Sequence, residues 1–286
     1  MKWLESYLEN RQQTVKITNY TSLPIDVSSG VPQGSHLGPL LFLLFINDLP
    51  TKFSNCSFSL YADDLKIYKV INHPNDGITL QENLCLTSRW CEDNGMQLNI
   101  DKCSVISFCR RSRSVARDYQ INGNTLKRNE VVKDLGILLD TKLTFKQHIN
   151  KICISGHSIL GFIKRRAKEF NDLALTKSLY CSLVRSILEY ACIVWAPYRQ
   201  IDIDRIESVQ KQFLLFALKH LNFSGFVLPP YKSRLLLLNM VPLEDRRKLF
   251  SAMFAFDLIQ GNIKSENLLK LVDVSNNPII LDEQGS

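Results

Sequence analysis

The sequence predicts an α+β chain in which a mixed half, residues 1–140, is followed by an all-helical half, residues 141–286. Three observations predict this. Short stretches of alternating apolar and polar residues, broken by turn residues, recur at 14–17, 58–70 and 119–126. Asn122-Gly123 inside the last of these is a strong hairpin-turn signal. Beyond Thr141 the apolar spacing lengthens to a helical period over about 145–170, 173–195 and 203–220. The shift places a domain boundary near Asp140.

In order, residues 3–11 read as a short helix and 14–17 as a strand. The turn-rich loop Ser28-Ser29-Gly30-Val31-Pro32-Gln33-Gly34-Ser35 then opens an apolar helix over about 40–49. Residues 58–70 read as two strands hinged on Asp63-Asp64. A helix over 78–93 follows, with Gly95 placed to stop it. Strands over 97–100 and 105–108, the 119–126 hairpin and a strand over 132–139 complete the first half. After the three long helices come shorter ones to about 271, then a tail, 275–286, without periodicity.

At 45% hydrophobic and 22% charged, the composition is that of a chain that buries a core. The net charge of +7 favours a polyanionic partner, nucleic acid or an anionic membrane surface. The longest apolar run, 37–46, is half of what a bilayer needs and contains Gly38 and Pro39. The start, Met1-Lys2-Trp3-Leu4-Glu5, lacks the apolar core of a secretory signal. The expectation is therefore an intracellular chain, nuclear or cytoplasmic, with no membrane partner. Eight cysteines are scattered without a C-x-x-C pair, which suits small buried apolar residues better than zinc ligands or a disulfide framework.

The most informative stretch is Leu60-Tyr61-Ala62-Asp63-Asp64-Leu65-Lys66-Ile67-Tyr68. Strand-forming residues flank two adjacent aspartates, and a tight turn exposes both carboxylates at a hairpin tip. Their mutual repulsion is relieved by a hard divalent cation such as Mg²⁺, which takes oxygen ligands. Asp-Asp is also ordinary turn chemistry, so the neighbouring motifs decide between the two.

Ser29-Gly30-Val31-Pro32-Gln33-Gly34-Ser35-His36-Leu37-Gly38-Pro39-Leu40-Leu41-Phe42 resembles the signature loop-helix of non-LTR (LINE-type) retrotransposon reverse transcriptases, most nearly the jockey-type branch. Phe45-Ile46-Asn47-Asp48-Leu49-Pro50 and Tyr61-Ala62-Asp63-Asp64 continue the resemblance. Trp90, Asn94-Gly95-Met96-Gln97-Leu98-Asn99 and Lys102 resemble the next motif. Val132-Lys133-Asp134-Leu135-Gly136-Ile137-Leu138-Leu139-Asp140 and Phe145-Lys146-Gln147-His148-Ile149 look like the palm-to-thumb segment. Residues 180–195 and Ile206-Glu207-Ser208-Val209-Gln210-Lys211 look like the helical region beyond it, so the resemblance covers about 3–220.

The resemblance implies an incomplete palm over 1–140, a helical thumb and extension over 141–286, and RNA-directed DNA polymerisation. It implies a two-metal Mg²⁺ site with Asp63 as main ligand and Asp64 in support, both catalytic. Lys102 would protonate pyrophosphate or pair with its charge; the alternative is a solvated surface lysine. Pro32, Gln33 and Gly34 would lie under template and incoming base, where glycine permits close approach. Tyr61 and Ala62 would lie beside the primer end, although Tyr61 is equally an ordinary strand aromatic. Lys146, Lys151, Lys164, Arg165, Arg166 and Lys168 would grip primer-template phosphates. Arg110, Arg111, Arg113 and Arg117 form a second basic run. Trp90 and Trp195 are expected in cores. The implied partners are an RNA template, a DNA primer, deoxynucleoside triphosphates and an upstream fingers and palm segment.

The sequence also departs from the family. Another metal-binding aspartate and the fingers motifs lie upstream of the segment matching Trp3-Leu4-Glu5-Ser6-Tyr7-Leu8, and Asp26 and Asp48 stand in no matching context. The expectation is a reverse-transcriptase region truncated before its first catalytic aspartate and inactive alone. The rival is a nucleic-acid-binding remnant or host-retained fragment without catalysis, and a reading frame cut short is the third possibility.

Overall fold

Interrupted alternation in the first half builds small sheets, and the longer period of the second half builds helices. The computed structural model describes residues 2–109, 117–167, 172–220 and 229–272. Among them lie six two-stranded sheets, five antiparallel and one parallel. The chain divides into two compact units, 1–129 and 130–286. That division falls ahead of the compositional change at Asp140.

In the first unit α1 (Lys2–Leu8) precedes β1 (Arg11–Gln13). A hairpin of β2 (Lys16–Ile17) and β3 (Tyr20–Thr21) follows, and β4 (Ile25–Val27) returns to pair with β1. Arg11 donates to the carbonyls of Leu8 (2.8 Å), Ser29 (3.1 Å) and Gly30 (2.6 Å), tying the next loop to α1. A turn closes from Ser35 N to Pro32 O (3.4 Å), with Gly34 at φ +80°. The Ser35 hydroxyl accepts from Gly38 N (3.0 Å) and so starts α2 (Gly38–Ile46), with Pro39 in its first turn. A Cβ on Gly38 would meet Pro32 O at 3.0 Å and Ser35 Oγ at 3.2 Å, so the close approach of loop to helix requires glycine.

The strands expected over 58–70 are β5 (Ser57–Tyr61) and β6 (Asp64–Tyr68). Then α3 (Pro74–Asp93) starts four residues earlier than expected. The Asp76 carboxylate accepts from the backbone of Asn72 (2.9 Å) and His73 (2.8 Å), and Pro74 suits a first turn. Gly95, at φ +67°, ends it. Ile46, Leu49, Trp90 and Cys91 form a core flanked by Phe42, Leu60 and Leu65, so α2, the β5–β6 hairpin and α3 share one apolar cluster. Trp90 also donates its indole N–H to Asp48 (3.2 Å).

Residues 97–100 are not the strand expected. A 3₁₀ turn occupies Ile100–Lys102, and Leu98 and Ile100 pack against a second cluster around Tyr119, Ile121 and Leu126. From 105–108 only a two-residue β7 (Ser104–Val105) forms. The hairpin β8 (Gln120–Ile121) and β9 (Asn124–Thr125) turns through Asn122 (φ +50°) and Gly123 (φ +75°), the two positive values of a type I′ turn. Parallel pairing of β10 (Lys127–Arg128) with β7 completes the unit.

In the second unit the single strand expected over 132–139 is a hairpin, β11 (Val131–Asp134) and β12 (Ile137–Asp140). Its turn, Leu135 (φ +43°) and Gly136 (φ +93°), is held by Tyr190, which donates to Leu135 O at 3.0 Å. The Asp140 carboxylate then accepts from the backbone N of Lys142 (3.0 Å), Thr144 (3.0 Å) and Phe145 (2.8 Å), setting up α4 (Lys146–Arg166).

The long helix expected over 173–195 is divided. It runs as α5 (Leu173–Leu179), a π-helical turn over Tyr180–Arg185, and α6 (Ser186–Glu189). It breaks at Ala191 (φ +50°) before α7 (Cys192–Trp195). The π turn lets Tyr180 stack on Phe213 (4.0 Å between centroids) while Val184 and Leu188 stay buried. Next come α8 (Gln200–His220), α9 (Tyr231–Leu237), α10 (Leu243–Ile259) and α11 (Glu266–Leu269). One core containing Ile149, Leu160, Tyr180, Leu188, Trp195 and Phe213 joins α4 through α10. Among the described residues no helix is long and apolar enough to cross a membrane.

Two titrations in this unit oppose folding in acid. His148 is buried against Trp195 (5.1 Å), and its Nδ1 accepts from Leu138 N (3.4 Å). Burial, then the charge of Lys151, holds its pKa below the usual histidine value. At Asp140 burial raises the pKa, but the hydrogen bonds from Thr144, Lys142 and Phe145 outweigh it and leave the carboxyl below its usual value. Each depressed group contributes stability above its unfolded pKa that is lost as pH falls through the folded value. The unit's melting temperature is expected to fall first below about pH 6.5, as His148 charges, and again below about pH 4. In thermal melts His148→Gln should flatten the first fall and leave the second.

Candidate functional site

Strand register sets out the carboxylate pair. Leu60 pairs with Leu65 and Tyr61 with Asp64, so the two turn residues are Ala62 and Asp63. The hinge is thus one residue earlier than the Asp63-Asp64 expected. Directly opposed residues share a face. Leu60 and Leu65 face the Trp90 cluster, which puts Tyr61 and Asp64 together on the other face. Tyr61, Ala62, Asp63 and Asp64 are all exposed. Ala62 sits at φ +51°, a left-handed conformation costing an L-residue roughly 1 kcal/mol.

Neither Asp63 nor Asp64 makes a hydrogen bond or ion pair with the described residues, and both are exposed to solvent. Two adjacent hard oxygen donors suit part of a Mg²⁺ shell. Among the described residues no three His, Cys, Asp or Glu side chains gather as a metal set. Asp26 is occupied by Gln12 Nε2 (2.8 Å) and Asp48 by the Trp90 indole (3.2 Å).

Gln33 and Gly34 form the exposed tip of the turn before α2, and Pro32 is half-buried. This loop opens the helix that shares the Trp90 cluster with the hairpin, so loop and carboxylates are attached to one small core. Lys102 ends the 3₁₀ turn, exposed, with no ion pair to either aspartate.

On α4 the structure separates the basic residues. Lys146, Lys151, Arg165 and Arg166 are exposed. Lys164 is half-buried, its ammonium 5.9 Å from the Phe216 ring and its pKa lowered by burial. Lys168 lies outside the described residues, as do Arg110, Arg111 and Arg113, whereas Arg117 is exposed. Between the two basic ends the outward face carries Ile154 and Phe162, both at least half exposed, with the Arg166 guanidinium 5.9 Å from the Phe162 ring. Sequence reading missed these two, although their spacing from Lys151 (i+3, i+11) marks the outer stripe. Trp90 and Trp195 are both buried in cores.

Comparison with known proteins agrees with these motifs. The family model for reverse transcriptase (RNA-dependent DNA polymerase) matches residues 1–148. The chain is 30% identical over 223 residues, 74% of its length, to the RNA-directed DNA polymerase from mobile element jockey of Drosophila melanogaster. It is 30% identical over 221 residues, 73% of its length, to the probable RNA-directed DNA polymerase from transposon BS of the same organism. It is 27% identical over 220 residues, again 73%, to the probable enzyme from transposon X-element. Each match covers 24% of the relative, so the chain spans about a quarter of the length of these curated relatives. No solved structure matches it.

Proposed function

The chain belongs to the reverse transcriptase (RNA-dependent DNA polymerase) family, in its non-LTR, LINE-type retrotransposon branch, and we propose that it carries part of the active site for RNA-directed DNA synthesis. The observation that carries this reading is the hairpin tip. Asp63 and Asp64 are exposed and uncommitted, on a turn anchored through Leu60 and Leu65 to the core that also holds α2. Asp63 is the main metal ligand and Asp64 the supporting one. The two carboxylates would hold Mg²⁺, which when bound would supply a lowered pKa for the primer 3′-hydroxyl and charge neutralisation for the departing pyrophosphate. Gln33 and Gly34 position the template and incoming base, with Pro32 bracing the turn, and Tyr61 and Ala62 flank the primer end. Lys102 donates to pyrophosphate. Residues 1–140 act as palm and 141–286 as thumb and extension. RNA template, DNA primer and deoxynucleoside triphosphates are the substrates. Primer extension on an RNA template, with Asp63→Ala as control, tests this reading.

The α4 stripe grips backbone phosphates without sequence choice. Lys146, Lys151, Arg165 and Arg166 supply the charge, and Phe162 and Ile154 supply apolar contact. Lys164, turned toward Phe216, is left out of this role. Arg165→Glu with Arg166→Glu is expected to weaken binding of RNA–DNA hybrid to a similar degree for every sequence. The slope of log K against log salt should fall by about 0.9 for each duplex phosphate that is no longer neutralised. Fluorescence anisotropy across a salt series measures both. Unchanged affinity, or weakening for one sequence alone, would count against a phosphate-gripping thumb.

A second reading, a nucleic-acid-gripping chain without catalysis, is favoured by one observation. The described residues gather only two carboxylates at the tip and no third ligand.

A further inference from the structure

The two faces of the β5–β6 hairpin differ in kind. Register puts Phe58 opposite Ile67 and Leu60 opposite Leu65 on the face toward the Trp90 cluster, where Phe58 also meets the Phe53 ring at 5.4 Å. On the other face three pairs stand in a row: Tyr61 with Asp64, Ser59 with Lys66, and Ser57 with Tyr68. All six residues are polar or tyrosine, and all are exposed except Lys66, which is half-buried. Its half-burial has a local cause, since Asp64 and Tyr68 flank it two residues either way on the same strand face. Lys66 is the one cation among the six, and it stands one pair behind the carboxylate tip. On the β5 side Ser57 and Ser59 are small, so Lys66 and Tyr68 rise above them as a wall and Tyr61 closes the end beside Asp64. Successive pairs on one face are about 6.7 Å apart along a strand, close to the step between neighbouring phosphates of a nucleic-acid strand.

We propose that this face carries the primer strand away from the carboxylates, and that Lys66 holds its last internucleotide phosphate. The inference rests on the hairpin tip being part of the polymerase site. With the primer 3′-hydroxyl at Asp63 and Asp64, the phosphate on the 5′ side of the terminal nucleotide lies one step back, at the Ser59–Lys66 pair. The next phosphate lies at the Ser57–Tyr68 pair. Two carboxylates by themselves repel a phosphate brought beside them, and the Lys66 ammonium offsets that repulsion with a charge-assisted hydrogen bond. The Ser59 hydroxyl donates to a phosphate oxygen, a contact that positions without reading sequence. The exposed Tyr68 ring offers a stacking surface. The ordinary alternative is a lysine that only blunts an exposed strand edge; such a lysine has no preferred phosphate.

Disulfide trapping on the full chain tests this, with circular dichroism to show that each variant folds. Lys66→Cys is mixed with an RNA template and a DNA primer that carries a disulfide tether on a single phosphate, moved one step at a time from the 3′ end. The parent chain with its eight cysteines is the blank, and Tyr61→Cys is the reference for the primer end. The yield for Lys66→Cys is expected to peak at the last internucleotide phosphate and to fall away within a few steps. Separately, Lys66→Gln should lower the slope of log K against log salt for the hybrid by about 0.9, the share of one phosphate, and Lys66→Arg should restore it. Trapping by Tyr61→Cys at the 3′ end, with no preferred phosphate for Lys66→Cys, would overturn this inference and leave the assignment of the tip standing. Trapping by neither variant would overturn both. A peak obtained only with the tether on the template strand, or a salt slope that Lys66→Gln leaves unchanged, would also overturn the inference.

Discussion

Asp63→Ala is expected to reduce primer extension by about 10³-fold or more in any preparation of this chain that extends a primer. Asp63 makes no hydrogen bond or ion pair with the described residues, so the variant should keep its melting temperature and lose only rate. On its own the 286-residue chain is expected not to extend a primer with either Mg²⁺ or Mn²⁺. Two neighbouring carboxylates on one turn fill only part of an octahedral shell, and no third ligand joins them among the described residues. Asp63 and Asp64 alone would hold a metal loosely and leave the 3′-hydroxyl poorly positioned, and loss of positioning alone costs several powers of ten. Extension by the chain alone that Asp63→Ala removes would show that the site is complete within it. Extension that survives Asp63→Ala would end the assignment of this hairpin to catalysis.

The second large effect is on stability. Glu207→Ala is expected to destabilise the helical unit by about 3–5 kcal/mol, read from denaturant unfolding of the full chain. Glu207 is buried on α8, where its carboxylate accepts from Leu243 N (3.1 Å), from Gln210 Nε2 (3.4 Å) and from the Tyr231 hydroxyl. Gln210 in turn accepts from Tyr180 (3.1 Å), so one carboxylate ties α8 to the π turn, α9 and the start of α10. Removing it strands several buried donors. It also removes a negative charge acting on buried Arg247, whose terminal nitrogens have no hydrogen-bond partner among the described residues. Glu207→Gln keeps an acceptor for Leu243 N but turns donors toward Tyr231 and Gln210, so an intermediate loss is expected. A cost below about 1 kcal/mol for the alanine variant would mean that water replaces the carboxylate and the network is not a tie.

What was legible in the sequence was local. Alternation about Asp63 and Asp64 identified the β5–β6 hairpin, and Asn122-Gly123 identified its own turn, because those residues favour the required dihedrals unaided. The order of motifs from Ser29 to Lys211 identified the family, and the candidate site came with it. Boundaries were less legible: α3 starts at Pro74 because Asp76 bonds backward to the chain before the helix, a signal that apolar spacing does not carry.

What only the tertiary structure decided depends on a distant neighbour. Leu135-Gly136 turns back into a hairpin where Tyr190, 55 residues on, bonds Leu135 O. The helix from Leu173 takes a π turn where Tyr180 stacks on Phe213. Leu98 and Ile100 leave the extended pairing their pattern suggests because a core is there to receive them. Lys164 separates from its basic neighbours because its helix position faces Phe216. Periodicity states which face of a segment is apolar. The partner that covers that face is set by packing across the fold, and at each of these places packing outweighs a local preference of about 1 kcal/mol per residue.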